Sequence, residues 1–521
     1  IVCGAPNIVN DVFVVVVKVG ESLIDEKGKV FKINKTKIRG EYSEGMICSE
    51  EEIGLGSNND GVIIIEDKSI KIGSLARDYF NIQKDFCFEI GLTPNRTDAL
   101  GHIGVAKDLY AYLMTHIGKG HDKFIFSKPS VHLFKPIESD FKVNVDILRP
   151  DLCPLYIGVC INNITISESP NWLKNRLISI GLKPINNIVD VTNYVLHETG
   201  NPLHAFDYNK ISSNKLFVDT AKKNEYFTTI DGNKIKLHPE DLVIYDSEKI
   251  VCLAGVMGGL NSAVSTDTKS IFLECAYFAP SSIRRTSKRH GVMSDSSYRF
   301  ERGVDFNNCI YAIKRATLLI QQICKDARCS NQIICDAELL NSKEVSFSFK
   351  ACNKILGHNI DKNTVLNILN YLDFEILSST NDTCILKVPT YRVDVSREID
   401  VIEEILRIYG YNNIELSNRI SFKPSFQKDT KYDFKQNLSK FLSYNGFYEI
   451  KNNSLTKKDC YKHQSIESQQ VVQIINPLSQ DLSIMRTNLL YGALETIKYN
   501  LNRQQTKIKL YEFGKTYMFN N

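Results

Sequence analysis

Residues 389–411, PTYRVDVSREIDVIEEILRIYGY, change hydrophobic period half-way along, and this stretch constrains the architecture more than any other. Its opening alternates, with Tyr391, Val393 and Val395 on one side and Arg392 and Asp394 on the other, the pattern of a short strand. From Ile399 the period becomes helical, and Val401, Ile402, Ile405, Leu406 and Ile408 form an apolar stripe. Asp400, Glu403 and Glu404 then fall at i, i+3 and i+4, which predicts three carboxylates on one helical face. Like charges at that spacing each cost about 0.2–0.5 kcal/mol, so such a face calls for a compensating cation. Asp394, just before the helix, offers a fourth oxygen ligand to a hard ion such as Mg²⁺. The alternative is a solvated acidic face partly neutralised by Arg407, four residues on from Glu403.

A chain of 521 residues has room for three to five domains. At 43% apolar and 24% charged residues it can build sizeable cores, which excludes wholesale disorder. A net charge of +4 does not by itself announce a nucleic-acid binder, so any such role rests on local patches. The longest purely apolar run is Val12–Val17, far short of the ~20 residues of a membrane span, and the start carries no secretory signal. Fourteen cysteines are scattered without a CxxC pair, and Cys324, Cys329 and Cys335 fit no zinc spacing. Reduced, buried thiols of a cytoplasmic protein are expected. The chain starts at Ile1 and stops at Asn521 just after a strand-like run, so it reads as a fragment cut at both ends.

Taken in order, residues 1–80 read as all-β, with strand runs at Val12–Val19 and Val62–Glu66 and turn signals at Glu26-Lys27-Gly28 and Asn58-Asn59-Asp60-Gly61. Lys35, Lys37 and Arg39 alternate with Thr36 and Ile38, which predicts three cations on one strand face. Such a face suits phosphate contact, and equally suits the wet side of a strand. Residues 81–140 hold a turn, Thr93-Pro-Asn-Arg96, a packed helix from about Ala99, and a polar linker over Lys119–Lys135. Residues 141–335 form the largest unit, α+β by pattern. A helix begins at Ser169 (N-cap) and Pro170 and stops at Gly181; Leu253–Gly259 reads as a turn of small residues; and Ile271–Ala276 puts Glu274 at the end of an apolar strand. Singly these features are bland: His204 reads as a core histidine, and Glu274 as the partner of a nearby arginine. Residues 340–412 carry helical patterns at Cys352–Leu356 and Lys362–Leu372, with Asp361 as N-cap, before the opening motif. Residues 413–521 start another α/β unit.

Several of these motifs, in this order, resemble the β subunit of bacterial phenylalanyl-tRNA synthetase. The matching segments are Gly4-Ala-Pro-Asn7, Lys37–Gly40 and Ser43–Ser49; Glu89–Asp98; Asp190–Tyr194, Gly200–Asp207, Leu253–Gly259 and Ile271–Ala276; Arg392-x-Asp394 through Gly410-Tyr411; and Asn476–Thr487 with Lys509–Gly514. The resemblance implies a multidomain α+β chain. Its parts would be an N-terminal tRNA-binding OB-fold β-barrel, a central α+β editing domain, a small helical or winged domain with a carboxylate site, and the start of a degenerate class II synthetase-like domain. It implies an editing pocket lined by Thr192, Asn193, His204, Gly258 and Glu274. Ser294 and Ser296 stand there where the family more often has threonine and alanine. It implies Mg²⁺ on Asp394, Asp400, Glu403 and Glu404, structural or interfacial rather than catalytic, and within its tRNA-binding domain the basic strand face makes Lys35, Lys37 and Arg39 the expected phosphate contacts. It also implies an α-subunit partner in a complex of two α and two β subunits, with ATP-dependent attachment of phenylalanine to tRNA on α and hydrolysis of mischarged tyrosine on β. Rival readings are a free-standing tRNA-binding or editing protein, and a metal-dependent phosphoesterase built on the four carboxylates.

Overall fold

The strands Leu155–Asn162 and Ile271–Tyr277 are buried at nearly every position because both of their faces are covered. They pair antiparallel as the centre of a sheet that His204–Asp207 extends on one side, while Arg328–Cys329 and Ile333–Asp336 extend it on the other. One face presents Ile157, Val159, Ala205, Leu273 and Cys275 to the helices Asn187–Thr199 and Cys309–Ile323. The other presents Tyr156, Cys160, Phe206, Phe272 and Ala276 to a second sheet. That sheet runs Met257–Gly258, Ile250–Leu253, Leu242–Tyr245, Lys215–Thr220 and Asn144–Ile147, its last pair parallel. The result is three layers, helices on sheet on sheet, with the period of two along each central strand sorting side chains between two cores.

This computed structural model describes residues 1–24, 30–55, 58–80, 86–117, 124–137, 141–336, 341–415, 422, 430–461 and 471–519. The expected turn at Glu26-Lys27-Gly28 and part of the expected linker lie outside them. The chain packs as two units, Ile1–Leu416 and Ser417–Asn521, and is a multidomain protein of mixed α+β type. The N-terminal region is β up to Ile65, its strands joined in antiparallel pairs, Val16–Lys18 with Gly45–Ile47 among them, around Val17, Ile33 and Cys48, but the expectation of an all-β stretch to residue 80 fails at the short helix Ala76–Tyr79. The described cysteines are all free and most are buried. No helix among the described residues is long and apolar enough to cross a membrane.

Helix boundaries follow their caps. Asp361 accepts the backbone N–H of Thr364 and starts Lys362–Tyr371, as its sequence position suggests. Ser169 does not cap its helix. Its hydroxyl donates to buried Asp190 instead, and the helix is Asn171–Ser179 with Pro170 ahead of it. Around the opening motif, Glu344–Ser348, Thr383–Lys387 and Glu375–Ser379 form a three-stranded antiparallel sheet packed by Phe347, Ile368, Leu386, Val401, Ile405 and Ile408. The unit Ser417–Asn521 holds the helices Thr430–Tyr444 and Leu490–Leu501 and a parallel pair, Tyr448–Glu449 with Leu510–Tyr511. Inside it Arg486 is buried against Glu512, 2.7 Å away.

One expectation fails at the start of the opening motif. Residues 389–395 form turns rather than a strand, closed by Arg392 N–H to the Pro389 carbonyl. The alternation there is real, but both sides of it are anchored to protein. The Tyr391 hydroxyl donates to the Leu372 carbonyl at 2.7 Å, and the Arg392 guanidinium is buried on Glu404. That pair belongs to a larger ion network. Arg392 lies 3.8 Å from Asp98 and 3.5 Å from Asp394; Arg407 reaches Glu404 at 2.7 Å and Asp108 at 2.9 Å; and Arg96 holds Asp98 at 3.0 Å and also Asp108. Three arginines thus join the turn at 93–98 and the helix His102–His116 to the segment 392–407. Removing one partner of a buried pair strands the other charge, at about 3–5 kcal/mol. Arg392→Ala is expected to lower the unfolding free energy of Ile1–Leu416 by that amount in urea denaturation. Exposed Arg397→Ala should cost less than about 1 kcal/mol.

Candidate functional site

Where the two sheets meet, the strand register sets His204 directly across from Glu274. Opposite residues of an antiparallel pair project to the same face with Cβ atoms about 4.5–5.5 Å apart, so imidazole and carboxyl are neighbours. Glu274 is only 5% exposed. Tyr156, on the neighbouring strand, donates its hydroxyl to Glu274 Oε2 at 2.9 Å. Among the described residues no arginine or lysine pairs with this carboxyl, so the expected arginine partner is replaced by a phenol. Burial pushes the carboxyl up to about 7, and the Tyr156 hydrogen bond opposes that rise only in part.

His204 is half-buried. Its Nε2 is buried with no hydrogen-bond partner among the described residues, and burial pushes the imidazole down to about 4, so the ring is neutral at ordinary pH. Gly258 packs against that ring. A Cβ there would come within 2.4 Å of His204 Cε1, so only glycine permits the strand Met257–Gly258 to lie so close. The preceding residue pair belongs to a turn made by Gly255, whose φ of +66° favours glycine. Ser294 is drawn in through the same strand end. Its hydroxyl donates to the Val256 carbonyl at 2.7 Å and accepts the N–H of Ser297, capping Asp295–Phe300.

The sequence-predicted pocket is therefore gathered in part. His204, Glu274, Gly258 and Ser294 lie around one junction of the two sheets. Thr192 and Asn193 sit on the helix Asn187–Thr199, where the Thr192 hydroxyl donates to the Val189 carbonyl, and Ser296 is half-buried in the short helix beyond Ser294. Among the described residues no hydrogen bond links Thr192, Asn193 or Ser296 to the junction. Tyr156 was not among the expected residues. A tyrosine in a fully buried aliphatic strand is the signal that would have found it, because a buried phenol hydroxyl needs a partner.

The four carboxylates of the opening motif are not brought together. Glu404 faces the core between Arg392 and Arg407, whereas Asp400 folds back to accept the N–H of Ser396 and Arg397 and pairs with the Arg397 guanidinium at 2.8 Å. Asp394 accepts from Asn95 at 2.8 Å. Glu403 alone is exposed, on a groove of about 570 Å³ lined by Ile355, Ile399, Ile402 and Leu406. The face expected to carry three carboxylates thus splits, and Arg407 pairs with Glu404 rather than Glu403. The repulsion predicted from spacing is relieved by this chain's own arginines. No group of three potential ligands converges among the described residues. In this arrangement the four carboxylates do not fit a Mg²⁺ centre.

The basic stripe is also rearranged. The strand Thr36–Ile38 contains only Lys37 of the three cations. Ile38 pairs with Glu41 across a two-residue turn in which Arg39 and Gly40 both have positive φ, the twist that a tight hairpin requires. Arg39 is therefore at the hairpin tip, and Lys35 precedes the strand and pairs with Glu44. All three remain exposed, and Lys35 and Lys37 lie 5.2 and 5.7 Å from the centroid of the Tyr42 ring.

Three family models match the chain in succession: the B3/4 domain over 152–325, the tRNA synthetase B5 domain over 345–411, and the phenylalanyl tRNA synthetase beta chain CLM domain over 421–521. The chain is 43% identical, over its whole length, to the phenylalanine–tRNA ligase beta subunit of Bacteroides fragilis (strain YCH46), and 44% identical to that of Porphyromonas gingivalis (strain ATCC BAA-308 / W83). It belongs to the phenylalanine–tRNA ligase beta-subunit family. The chain spans 63% of the length of each of these two relatives. A crystal structure of an N-terminal fragment of the phenylalanyl-tRNA synthetase beta subunit from Pyrococcus horikoshii covers 61% of this chain and 85% of its own, at 16% identity and a TM-score of 0.33, too low to carry weight. The B3/4 match contains the whole His204–Glu274 junction, and the B5 match contains the acidic segment.

The junction has a pH signature. Glu274 keeps its proton in the folded chain up to about pH 7, against about 4.5 when unfolded, so its contribution to stability falls as pH rises from 4.5 to 7. His204 acts oppositely. The unfolded chain protonates it below about 6.5 while the folded chain resists to about 4, so its contribution falls as pH drops through that window. Glu274→Gln is expected to remove the first slope and expose the second. Its stability advantage over the parent should grow from nothing below pH 4.5 to roughly 3 kcal/mol above pH 7, as measured by denaturation at a series of pH values.

Proposed function

We propose that this chain acts within a β subunit of bacterial phenylalanine–tRNA ligase and that its own chemistry is proofreading: hydrolysis of tyrosine attached by mistake to the phenylalanine tRNA. The observation that carries this reading is the Glu274 carboxyl, buried at an apolar strand end, held by a phenol and facing a neutral histidine. Phenylalanine and tyrosine differ by one hydroxyl, and a hydrophobic synthetic pocket rejects an added hydroxyl only by roughly 10²-fold. A second site that must hydrogen-bond the hydroxyl inverts the problem. Phenylalanine leaves the buried acceptor unpaired, at about 1–3 kcal/mol or more when it is charged. Glu274 is the hydroxyl reader in this scheme. The unpartnered His204 Nε2 receives a hydrogen bond at the ester end, and Gly258, packed beside the ring, keeps the imidazole in place. Water adds to the ester carbonyl, the bond to the ribose oxygen breaks, and that oxygen takes up the proton, with the neighbouring ribose hydroxyl sharing the proton transfer.

The other regions are read in the same frame: residues 1–80 as a tRNA-binding OB-fold, 81–140 as scaffold and linker, 141–335 as the editing domain, 340–412 as a winged interface domain, and 413–521 as a degenerate class II synthetase-like domain. Synthesis, with ATP, lies on an α subunit of a two-α, two-β complex. The apolar groove at Glu403, with Ile355 and Ile399 about half exposed, supports a subunit contact there. Magnesium, with the cytoplasmic setting, comes from the family alone, and no step is assigned to the ion. The match over 421–521 to a beta-chain domain favours this reading over a free-standing editor.

In the complete enzyme, Glu274→Ala is expected to leave phenylalanine attachment near normal and to reduce hydrolysis of mischarged tyrosyl-tRNA at least 100-fold, an effect of about 3 kcal/mol. Equal loss of both activities would make Glu274 structural. For the basic hairpin, replacing Lys35, Lys37 and Arg39 together by alanine should weaken all tRNAs alike and flatten the salt dependence of binding. A salt slope equal to the parent's would remove the hairpin from the tRNA surface.

A further inference from the structure

Tyr156 is wholly buried, and its hydroxyl has a single partner among the described residues, the Glu274 carboxyl. The register explains how it reaches. Tyr156 pairs with Ala276 and Gly158 with Glu274, so Tyr156 approaches the carboxyl diagonally across the strand pair. Gly158, directly opposite Glu274, contributes no side chain. A Cβ there would come within 2.2 Å of Phe272 Cζ, so the position cannot hold a competing group without moving that ring. The Tyr156 ring is held in turn. It stacks on Phe272 with centroids 6.4 Å apart, Phe272 stacks on Phe206 at the same spacing, and Phe206 meets the His204 ring edge-on at 4.5 Å. A row of four rings thus runs from the phenol to the histidine on the face that carries Glu274.

We infer that Tyr156 is a positioning residue for hydroxyl selection, its phenol fixing Glu274 Oε2 so that Oε1 is the oxygen offered to a ligand hydroxyl. This rests on the reading of Glu274 as the hydroxyl reader and deepens it. The terminal torsion of a glutamate is broad and roughly two-fold, so an untethered carboxyl samples many orientations. A buried phenol donor removes that freedom and favours the ionised, accepting form of the carboxyl. The titratable groups around Glu274 are Tyr156, His204 and the thiols of Cys153, Cys252 and Cys275, and none of them supplies a positive charge at neutral pH. The phenol is therefore the group that holds the acceptor ready. The chain discriminates for a tyrosine hydroxyl with a carboxyl already tuned by a tyrosine hydroxyl of its own.

The test uses the complete α/β enzyme and two purified probes, tRNA(Phe) charged with tyrosine and with phenylalanine. It reads the ratio of their hydrolytic kcat/KM values from pH 5.5 to 9. Taking the ratio cancels the intrinsic alkaline lability of the ester. Tyr156→Phe is expected to cut the plateau ratio about tenfold and to move its midpoint up by about one pH unit, because the lost donor stabilised the carboxylate. Replacing Tyr156 with 3-fluorotyrosine, a more acidic phenol of nearly the same shape, should move the midpoint down instead. Opposite shifts are not produced by a merely structural role. If Tyr156→Phe does not fold, the 3-fluorotyrosine enzyme still decides. Unchanged ratio and midpoint in an enzyme that Glu274→Ala cripples would overturn the positioning role while leaving the proofreading reading intact. Tyrosine hydrolysis indifferent to Glu274→Ala would overturn that reading instead.

Discussion

Buried charge is the constraint around which Ile1–Leu416 is arranged. Arg392 and Glu404 are each almost fully buried, and Asp98 with them, so none is stable there unless the others are in place. The network reaches across chain segments some 300 residues apart in sequence order, from Arg96 to Arg407, and closes only when the helix His102–His116 lies on the helix Glu398–Tyr409. Apolar contact alone would tolerate sliding between those helices. Ion pairs with short, directional geometry do not, and they fix the register that places Ala111 in the core of the neighbouring sheet.

The His204–Glu274 junction uses the opposite device. There a carboxyl is buried without a cation, and the cost is left partly uncompensated: one phenol hydrogen bond, a raised proton affinity, and a histidine nitrogen with nothing to bind. Such under-satisfied polar groups mark sites that a ligand completes, whereas the arginine-paired carboxylates are already complete. The same comparison explains why the acidic segment looks like a metal site in sequence and like an ion network in three dimensions. Carboxylates at i, i+3 and i+4 require positive charge, and helix geometry leaves open whether an ion or an arginine from another segment supplies it.

Much of the fold was legible because it follows local rules. The strand at Ile271, the helices ending at Gly181 and beginning after Asp361, and the turn at Gly255 all carry their own periodicity or backbone signal. The strand Leu155–Asn162 was not legible: covered on both faces, it shows no alternation to read. Residues 389–395 misled for the converse reason, since alternating side chains anchored on two sides can be held by turns as well as by a sheet.

Of the candidate site, the sequence alone determined its residue types and their order, and the hydrophobic run that buries Glu274. It also determined that the acidic helix needs compensation, because like charges one turn apart repel wherever the helix lies. Only the tertiary structure decided the partners. His204 meets Glu274 through strand register, Tyr156 reaches it from a third strand, Gly258 closes on the imidazole from another sheet, and Arg392 pairs with Glu404. Each of these is a contact between segments distant in sequence, set by how sheets pair and pack, and local periodicity carries no information about that.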